Sequence, residues 1–276
     1  MAQDTTGTYL RYFTPGQNLR ITKRLTDGTF TPGRTLSSTA GTGVRFPQGD
    51  VVATGGQWWA VWNEAVGPGG EFAQTELFQA FTIGGAFQPR QRITTNPLND
   101  DDPSLALTPG TTFPLNLLWA RNDGAQGLSS DLRRALGNAG GGWTSSAFAT
   151  AGANNLSPDA RVDGGATYVT WWRDGSIMVA DNQGGSFASH RFNTPGLFGP
   201  RIGVSAGNVY VGWTATTRVP TTTFVAERVG TVWSGTRASP VVPTRDQELL
   251  GIAPKAGVAT ALNVSITARL YATNET

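Results

Sequence analysis

The densest group of potentially reactive side chains in this sequence is an acidic run. Asp100, Asp101 and Asp102 are consecutive, and they precede Pro103 at the start of a short apolar segment. A pair of carboxyl groups can act as acid and base in the hydrolysis of a glycosidic bond, and carboxylate oxygens are ligands that Ca²⁺ prefers. A solvated turn before a proline would use the same residues. We predict Asp101 and Asp102 as ligand-binding residues and treat all three as candidate Ca²⁺ ligands.

Three further charged residues could complete such a site. Asp159 is predicted at the position that matches the acidic run in a later segment of similar pattern, and Arg161 and Arg201 lie in two successive short apolar segments. The planar guanidinium group of arginine can hold a carboxylate or sugar hydroxyls through several N–H donors. Arginine is also a common structural partner of aspartate. We predict that all three residues bind ligand, and the sequence identifies no catalytic residue.

The residue types exclude several other chemistries. His190 is the single histidine and the chain has no cysteine, so histidine-based catalytic triads and multi-histidine or thiolate metal sites are absent. Lysine occurs only at positions 23 and 255, which leaves no Walker A loop. The glycines fall in turns and form no dinucleotide-binding fingerprint.

The elements that must position these residues repeat along the chain. A glycine stands three residues before an aromatic residue in four similar segments, which are Gly84 to Phe87, Gly140 to Trp143, Gly184 to Phe187 and Gly230 to Trp233. A shortened copy ends at Phe30. The five aromatic residues recur every 44 to 57 residues, which is close to the roughly 40 to 50 residues per blade of propeller families.

A second aromatic motif precedes the four longer turns. Trp62, Trp119, Trp171 and Trp213 lie in stretches of alternating apolar residues that are typical of strands. A short apolar run precedes each of these stretches, and another strand-like run follows it. Each unit therefore predicts four antiparallel strands, which is the composition of a propeller blade. Because the tryptophans recur at one position of the unit, we predict that they pack in the core.

The two ends of the chain contain incomplete copies of the same unit. Residues 7–35 align with strands two to four of a unit, and residues 249–274 supply strands one to three of a last one. This count favours six blades over five blades with merged termini. We predict a single β-propeller domain over residues 1–276, with the N- and C-terminal segments closing the ring. The alternative architecture is a β-sandwich.

The four longer turns resemble the Asp-box, or BNR repeat, of sialidase-like β-propellers, Ser-x-Asp-x-Gly-x-Thr-Trp/Phe. Ala180 stands at the Ser position, Asn182 at the Asp position and Ser186 at the Thr position, and no copy keeps the carboxylate. In that family the box is a structural turn at the outer edge of a blade. The resemblance implies an all-β propeller of four-stranded antiparallel blades and carries no information about catalysis.

The same family suggests where a ligand would bind. Arg45, with Phe46 and Pro47, resembles the Arg-Ile-Pro start of sialidases, which use arginines to hold a carboxylate. A Tyr nucleophile paired with Glu cannot be placed in this sequence. Trp58 and Trp59 fall outside the strict repeat, and since strand side chains alternate between two faces, one of them should face away from the core. We predict Arg45 and Trp58 as ligand-binding residues.

Composition limits the partners of the chain. Charged residues make up 14% of it, the formal net charge is +2, and no run of like charges forms a nucleic-acid footprint. No apolar segment reaches the roughly 18 residues of a membrane span. The N-terminus lacks a signal peptide but resembles the polar start of a mature exported chain, so we predict a secreted protein. We expect a glycan or protein ligand, and neither nucleic acid nor a membrane span.

These observations favour a non-catalytic binding propeller that recognises a glycan or a protein at the mouth of its channel. The first alternative is a sialidase-like glycoside hydrolase that uses Asp101 or Asp102. The second is a structural scaffold that presents loops such as residues 63–76 to a protein partner.

Overall fold

The computed structural model describes residues 2–14, 18–38, 48–66, 74–108, 115–122, 129–138, 140–149, 153–183, 185–193, 199–205, 207–215, 222–238, 245–254 and 262–270. Every regular element in these ranges is a β-strand, so the predicted all-β class is confirmed. None of the described residues forms a helix long and apolar enough to cross a membrane. The chain divides into two compact units, Met1–Gly152 and Ala153–Thr276. The single domain over residues 1–276 stays a prediction.

The first unit contains three four-stranded antiparallel sheets in which each strand pairs with its neighbours in sequence. Sheet A contains β1 (Ala2–Asp4), β2 (Gly7–Phe13), β3 (Asn18–Arg24) and β4 (Arg34–Ser38). Sheet B contains β5 (Gly49–Thr54), β6 (Gln57–Ala65), β7 (Thr75–Ile83) and β8 (Ala86–Arg92). Sheet C contains β9 (Asn99–Leu107), β10 (Leu115–Asn122), β11 (Ser130–Gly137) and β12 (Trp143–Ala149).

The second unit contains two further sheets of this kind and a strand pair. Sheet D contains β13 (Asn155–Asp163), β14 (Ala166–Arg173), β15 (Ser176–Asp181) and β16 (Ala188–Phe192). Sheet E contains β17 (Arg201–Ser205), β18 (Asn208–Ala215), β19 (Thr222–Val229) and β20 (Val232–Trp233), and β21 (Arg237–Ala238) also pairs with β19. Sheet F is the antiparallel pair of β22 (Arg245–Pro254) and β23 (Leu262–Leu270).

Sheet A has one strand more than the sequence predicted. Ala2 pairs with Tyr9 and Asp4 pairs with Gly7, so the first residues of the chain form the first strand of a complete sheet. The strand escaped prediction because three residues are too few to show an alternating pattern. At the other end of the chain, the described residues form two strands. Five sheets of at least four strands, together with sheet F, agree with five or more blades.

Two-residue turns of one type join many of these strands. Both turn residues have positive φ at Gly55–Gly56, Gly84–Gly85, Gly164–Gly165 and Asp174–Gly175. This is the geometry of a type I′ turn, whose twist matches that of antiparallel strands and which favours glycine. The double glycines of the sequence therefore set the register of their hairpins.

The polar residues at the Asp position of the repeated turns bind backbone amides. Asn138 Oδ1 accepts hydrogen bonds from the N–H groups of Gly140 (2.9 Å) and Gly142 (3.1 Å). Asn182 Oδ1 accepts one from the N–H of Thr167 at 2.7 Å. These two side chains satisfy backbone donors that the ladders leave unpaired, so both asparagines have a structural role, and the likeness of the turns to the Asp-box stays a prediction.

The repeated tryptophans lie in the core, as predicted from their spacing. Trp62, Trp119 and Trp213 are among the largest fully buried side chains, and Trp171 is also buried. Residues of adjacent sheets surround them: Trp62 packs in a cluster formed by sheets A and B, Trp119 in one formed by sheets B and C, and Trp213 in one formed by sheets D and E. Burial of these large apolar surfaces is the main force that holds neighbouring sheets together.

Aspartates at the start of the sheets add a second connection, which we call the inter-sheet carboxylate bonds. In each, an Asp on the first strand of one sheet accepts a hydrogen bond from a backbone N–H of the next sheet. They run from Leu105 to Asp50 (3.2 Å), from Ile202 to Asp159 (2.8 Å), from Gly56 to Asp4 (2.8 Å) and from Gly207 to Asp163 (3.0 Å). Two of the amides lie in strands β9 and β17, which pair with a strand on one side only. The carboxylates therefore accept hydrogen bonds from N–H groups that would otherwise lack a partner.

The glycine turns allow a matched stability test. Gly141 (φ +83°) and Gly175 (φ +81°) have similar backbone strain for any L side chain, but a Cβ at Gly141 would lie 2.7 Å from Phe81 Cζ, whereas one at Gly175 would contact nothing within 4 Å. We expect Gly175→Ala to lower the free energy of unfolding by about 1–2 kcal/mol. Gly141→Ala should cost about 1–3 kcal/mol more, from overpacking. Urea denaturation measures both, and equal losses would show that the close approach to Phe81 is not rigid.

The inter-sheet carboxylate bonds make a second prediction. Asp159→Ala removes the acceptor for the Ile202 N–H, and we expect a loss of about 1–3 kcal/mol in the free energy of unfolding. Asp159→Asn is the matched control, because it keeps an oxygen acceptor for the Ile202 N–H and removes the charge and the oxygen that pairs with Arg161. It should lose less than half as much in the same denaturation experiment. If the two variants are equally destabilised, the charge of Asp159 rather than this hydrogen bond provides the stability.

Candidate functional site

Polar side chains of sheets B and C gather where β6 and β10 end and β7 and β9 begin. We call this group the carboxylate cluster and define it by Asn63, Glu64, Glu76, Asp100 and Asp101. Strand register brings its members together, because Glu64 lies opposite Glu76 across β6 and β7. All five belong to the first unit, so the cluster does not depend on the second.

Asp100 is the most deeply held member of the cluster, with no exposed surface. Its Oδ1 accepts hydrogen bonds from Trp119 Nε1 (2.7 Å) and Arg121 Nε (2.7 Å). Its Oδ2 accepts them from Arg121 Nη2 (3.1 Å) and Asn96 Nδ2 (2.7 Å). A carboxylate has about four acceptor positions, so these four bonds occupy all of the acceptor positions of Asp100. Its role is to orient Trp119 and Arg121.

Asp101 connects sheet C to sheet B and keeps a partly exposed side chain. Its Oδ1 accepts hydrogen bonds from Asn63 Nδ2 at 2.7 Å and from Thr75 Oγ1 at 3.0 Å. Asn63 Oδ1 in turn accepts a hydrogen bond from the backbone N–H of Gln48 at 2.6 Å. These bonds fix the position of a partly exposed carboxylate.

Asp102 lies in a β-bulge that recurs in the second unit. Its φ is +52°, and Ser157 has φ +51° at the corresponding place before a proline. The register of each sheet shifts at this point. Positive φ is strained for residues other than glycine, and a bulge re-aims the neighbouring side chains. Repetition in two sheets assigns the bulge to the architecture of the first strand.

The predicted match between Asp159 and the acidic run is wrong. Asp159 pairs with Thr170 in sheet D, and the residue in that position of sheet C is Ser104, which pairs with Leu118. The bulge places Ser157 where sheet C has Asp102. Sequence alignment without the bulge therefore equated two aspartates that occupy different positions.

Glu64 and Glu76 belong to the cluster, although we did not predict them individually. Glu76 is fully buried, and its Oε1 forms an ion pair with Arg92 at 2.8 Å and accepts the N–H of Asn96 at 2.9 Å. Glu64 pairs with Arg90 at 2.8 Å. Arg90 and Arg92 lie two residues apart on β8, and this spacing was a usable signal in the sequence. Residues 67–73 of the predicted 63–76 loop lie outside the described residues.

The other predicted charged residues lie in the second unit. Arg161 Nη1 pairs with Asp159 Oδ1 at 2.9 Å and donates to its neighbour's backbone oxygen, that of Ala160, at 2.6 Å. Arg201 Nη1 donates to the carbonyl of Pro200 at 3.2 Å. Strands β13 and β17, which carry the two arginines, are neighbours, as predicted. Asp159 serves both Arg161 and the inter-sheet carboxylate bond, and the ligand-binding role of these residues stays a prediction.

The prediction that Trp58 faces a ligand is wrong. Trp58 is 6% exposed and Trp59 is 3% exposed. They do point to opposite faces of β6, but Trp58 packs in the cluster with Val51, and Trp59 packs in a different cluster. Both faces of sheet B are covered within the first unit, so neither ring is available to stack on a sugar. Arg45 lies outside the described residues.

The acidic run gains no support as a Ca²⁺ site from the part of the chain that the structure describes. There, no group of three or more His, Asp or Glu side chains is arranged to hold a metal ion. The oxygens of Asp100 already accept four hydrogen bonds from protein donors.

The pKa values of two buried tyrosines are raised, which disfavours ionisation of their hydroxyl groups. Burial raises the pKa of Tyr168, and the charge of Asp181 adds to this effect. Burial also raises the pKa of Tyr210, with a further contribution from its hydrogen bond to Glu227, which lies directly opposite on β19. Activation of a nucleophile requires the reverse shift or an adjacent base that removes the proton.

His190 belongs to an aromatic group on the second unit. Its ring stacks on Trp233 at 5.3 Å between centroids and meets the edge of Phe192 at 4.8 Å. Desolvation lowers the pKa of His190, and the nearby positive charge of Arg228 lowers it further.

Similarity to known proteins is detectable in structure and not in sequence. No protein-family model matches the chain, and no curated protein matches it. The subtype N10 neuraminidase-like protein of A/little yellow-shouldered bat/Guatemala is similar with a TM-score of 0.55, over 93% of this chain and 86% of that chain, at 10% identity. The subtype N11 neuraminidase-like protein of A/flat-faced bat/Peru gives 0.53, over 91% and 76%, at 13% identity.

A sialidase that is longer than this chain is also similar in structure. Trypanosoma rangeli sialidase in complex with sialic acid is similar with a TM-score of 0.51 at 12% identity. The match covers 97% of this chain and 49% of that one, so this chain spans about half of the sialidase. Identities this low establish the fold alone. The chain therefore has a sialidase-like β-propeller fold.

The pKa of His190 can be tested directly because it is the only histidine of the chain. We expect its NMR titration midpoint below the ordinary value of about 6.5. Since the folded-state pKa is depressed, the folded protein binds fewer protons, and stability should fall as pH drops through 6.5. His190→Phe should remove this component of the pH dependence and keep the aromatic contacts. A midpoint at or above 6.5 would contradict the partial desolvation of His190 by its contact with Trp233.

Proposed function

We propose that this chain is a non-catalytic binding propeller whose ligand is a glycan, recognised at the carboxylate cluster. The observation that carries the proposal is the hydrogen bonding of the partly exposed Asp101, next to the buried and fully bonded Asp100. Their carboxylates are fixed by side chains from neighbouring strands. Such an arrangement is pre-organised, and pre-organisation favours binding because less conformational entropy is lost when the ligand is held.

The surroundings of the carboxylate cluster offer both hydrogen-bond acceptors and hydrogen-bond donors. Asp101 is a partly exposed acceptor. The side chains of Arg90 and Arg92 are 44% and 38% exposed, and each is oriented by a glutamate. Sugar hydroxyls donate and accept hydrogen bonds, so fixed carboxylates and fixed guanidinium groups are each complementary to them.

The same bonds argue for binding rather than hydrolysis. A general acid must hold a proton on a carboxyl oxygen and present it to the leaving group. Asp101, a predicted acid of the hydrolase, accepts hydrogen bonds from Asn63 and Thr75 on Oδ1, and Asp100 beside it is buried and accepts four. The raised pKa values of Tyr168 and Tyr210 do not favour a tyrosine nucleophile. The structural neighbours include two neuraminidase-like proteins and a sialidase, so the fold is compatible with either activity.

Binding of the purified chain to a broad glycan array, with and without Ca²⁺, tests the proposal. We expect a defined set of bound glycans whose binding does not change on removal of Ca²⁺. A blank array in both conditions would contradict glycan recognition and favour a protein partner. Release of free sugar from a bound glycan would favour the glycoside hydrolase.

A single substitution locates the binding at the carboxylate cluster. Asp101→Asn removes the charge while its oxygen can still accept from Asn63 and Thr75, and we expect at least a tenfold loss of affinity, about 1.4 kcal/mol. Asp27→Asn is the matched control, because Asp27 lies in an exposed turn and its oxygen likewise accepts two hydrogen bonds from Thr29. Isothermal titration with the array-selected glycan measures both. Equal affinities in the two variants would place the site elsewhere.

A further inference from the structure

The second unit contains a pocket at the opposite ends of its strands from the bulge of β13. It has a volume of about 450 Å³ and lies between the β13–β14 hairpin, the turn after β15 and the β17–β18 hairpin. It is lined by Asp163, Gly164, Gly165, Ala166, Tyr168, Asn182, Gln183 and Gly207. The volume falls in the roughly 300–1,000 Å³ range of small-ligand sites.

Sheet A shows what normally fills this place. Asp4 and Asp163 occupy the same position, since each accepts the N–H of a glycine in the next hairpin, at 2.8 Å and 3.0 Å. In sheet A the following turn carries Thr6, whose side chain lies 3.9 Å from the position of a Cβ on Gly56. Lys23 Nζ donates to Thr6 Oγ1 at 2.6 Å, which closes the space.

In sheet D the same space is open. Gly164 and Gly165 replace the two threonines of the sheet A turn, and a Cβ on Gly165 or on Gly207 would contact nothing within 4 Å. Asp181 stands opposite Tyr168, where sheet A has Lys23 opposite Tyr9. The side chain of Asp181 forms an ion pair with Arg228 at 2.5 Å. The change of residues at these positions converts a filled junction into a cavity.

The lining of the pocket is polar and held in place. Gln183 Nε2 donates to the Tyr168 hydroxyl at 2.6 Å, and the Gln183 backbone N–H donates to Asp181 Oδ1 at 3.2 Å. Asn182 Oδ1 accepts the Thr167 N–H at 2.7 Å. The positions of a carboxylate, two amides and a tyrosine hydroxyl are therefore defined before any ligand binds.

A second observation concerns Arg228, which does not line the pocket itself but lies over Tyr168, which does. Arg228 is buried, and its Cζ lies 5.8 Å from the centre of the Tyr168 ring. Its Nη1 pairs with Asp181, but Nε and Nη2 are buried and find no hydrogen-bond partner among the described residues. Buried donors of this kind are normally satisfied by ordered water or by ligand oxygens.

We propose that this pocket binds a neutral saccharide at a site separate from the carboxylate cluster. Vicinal hydroxyls match the lining, because each can donate to the Asp163 carboxylate and accept from an amide N–H. The negative charge of Asp163 disfavours an anionic ligand. The glycine hairpins and amides offer little apolar surface to a hydrophobic one. The assignment does not rest on the proposed function, since the two sites share no residue.

Amide-resolved NMR titration of the full chain with neutral disaccharides, including lactose, maltose and cellobiose, tests this proposal. We expect saturable shifts of the Gly164, Gly165, Gln183 and Gly207 amides with at least one of them. Asp163→Asn keeps an oxygen for the Gly207 N–H and should weaken the binding at least tenfold. Asp4→Asn is the matched control, because it makes the same change in the filled junction, and it should leave the affinity unchanged.

Three results would overturn the saccharide site. They are the absence of saturable shifts at these amides with every disaccharide, equal affinities in Asp163→Asn and the unaltered chain, and shifts produced by the cation choline in place of a sugar. The glycan proposed for the carboxylate cluster is tested separately by Asp101→Asn. That variant should leave the shifts of Gly165 and Gly207 intact, so failure of one site is distinguishable from failure of the other.

Discussion

The hydrogen bond between a side-chain carboxylate and a backbone N–H of the next sheet is the constraint on which much of this structure depends. A four-stranded meander leaves one side of its first strand without a strand partner. Asp50 and Asp159 accept hydrogen bonds from backbone N–H groups on that side of the first strand of the next sheet. Asp4 and Asp163 accept them from glycine N–H groups in a hairpin turn of the next sheet. Apolar packing brings the sheets together, and these directional bonds fix how they meet.

This constraint explains why aspartate is an ambiguous signal in the sequence. Asp159 attracted a functional interpretation because it was aligned with the acidic run of the preceding unit, yet it accepts the Ile202 amide and pairs with Arg161. Asp100 is similarly used by Trp119 and Arg121. Asp101 is partly exposed, and its bonds to the neighbouring sheet come from the side chains of Asn63 and Thr75. The burial of a carboxylate and the groups that it bonds, rather than its spacing in the sequence, indicate which kind of role it has.

Much of the fold was predictable because it follows from local patterns. The double glycines encode type I′ turns, and the recurrence of Trp62, Trp119 and Trp213 encodes the core. The first strand of sheet A was missed because it has only three residues. The candidate site was predicted in part, since Asp100 and Asp101 lie in it. Burial of Trp58, the bulge at Asp102 and the partners of Glu76 depend on contacts between residues that are distant in the sequence, which no local pattern contains.

The central claim is that the fixed carboxylates serve structure and binding without turnover. The most direct test is to hold the purified chain at stoichiometric concentration with a glycan that it binds, and to follow the mass of the glycan over many hours. The account predicts that all of the glycan is recovered intact while the complex persists. Appearance of a shorter glycan and a free sugar, lost in the Asp101→Asn variant, would contradict it.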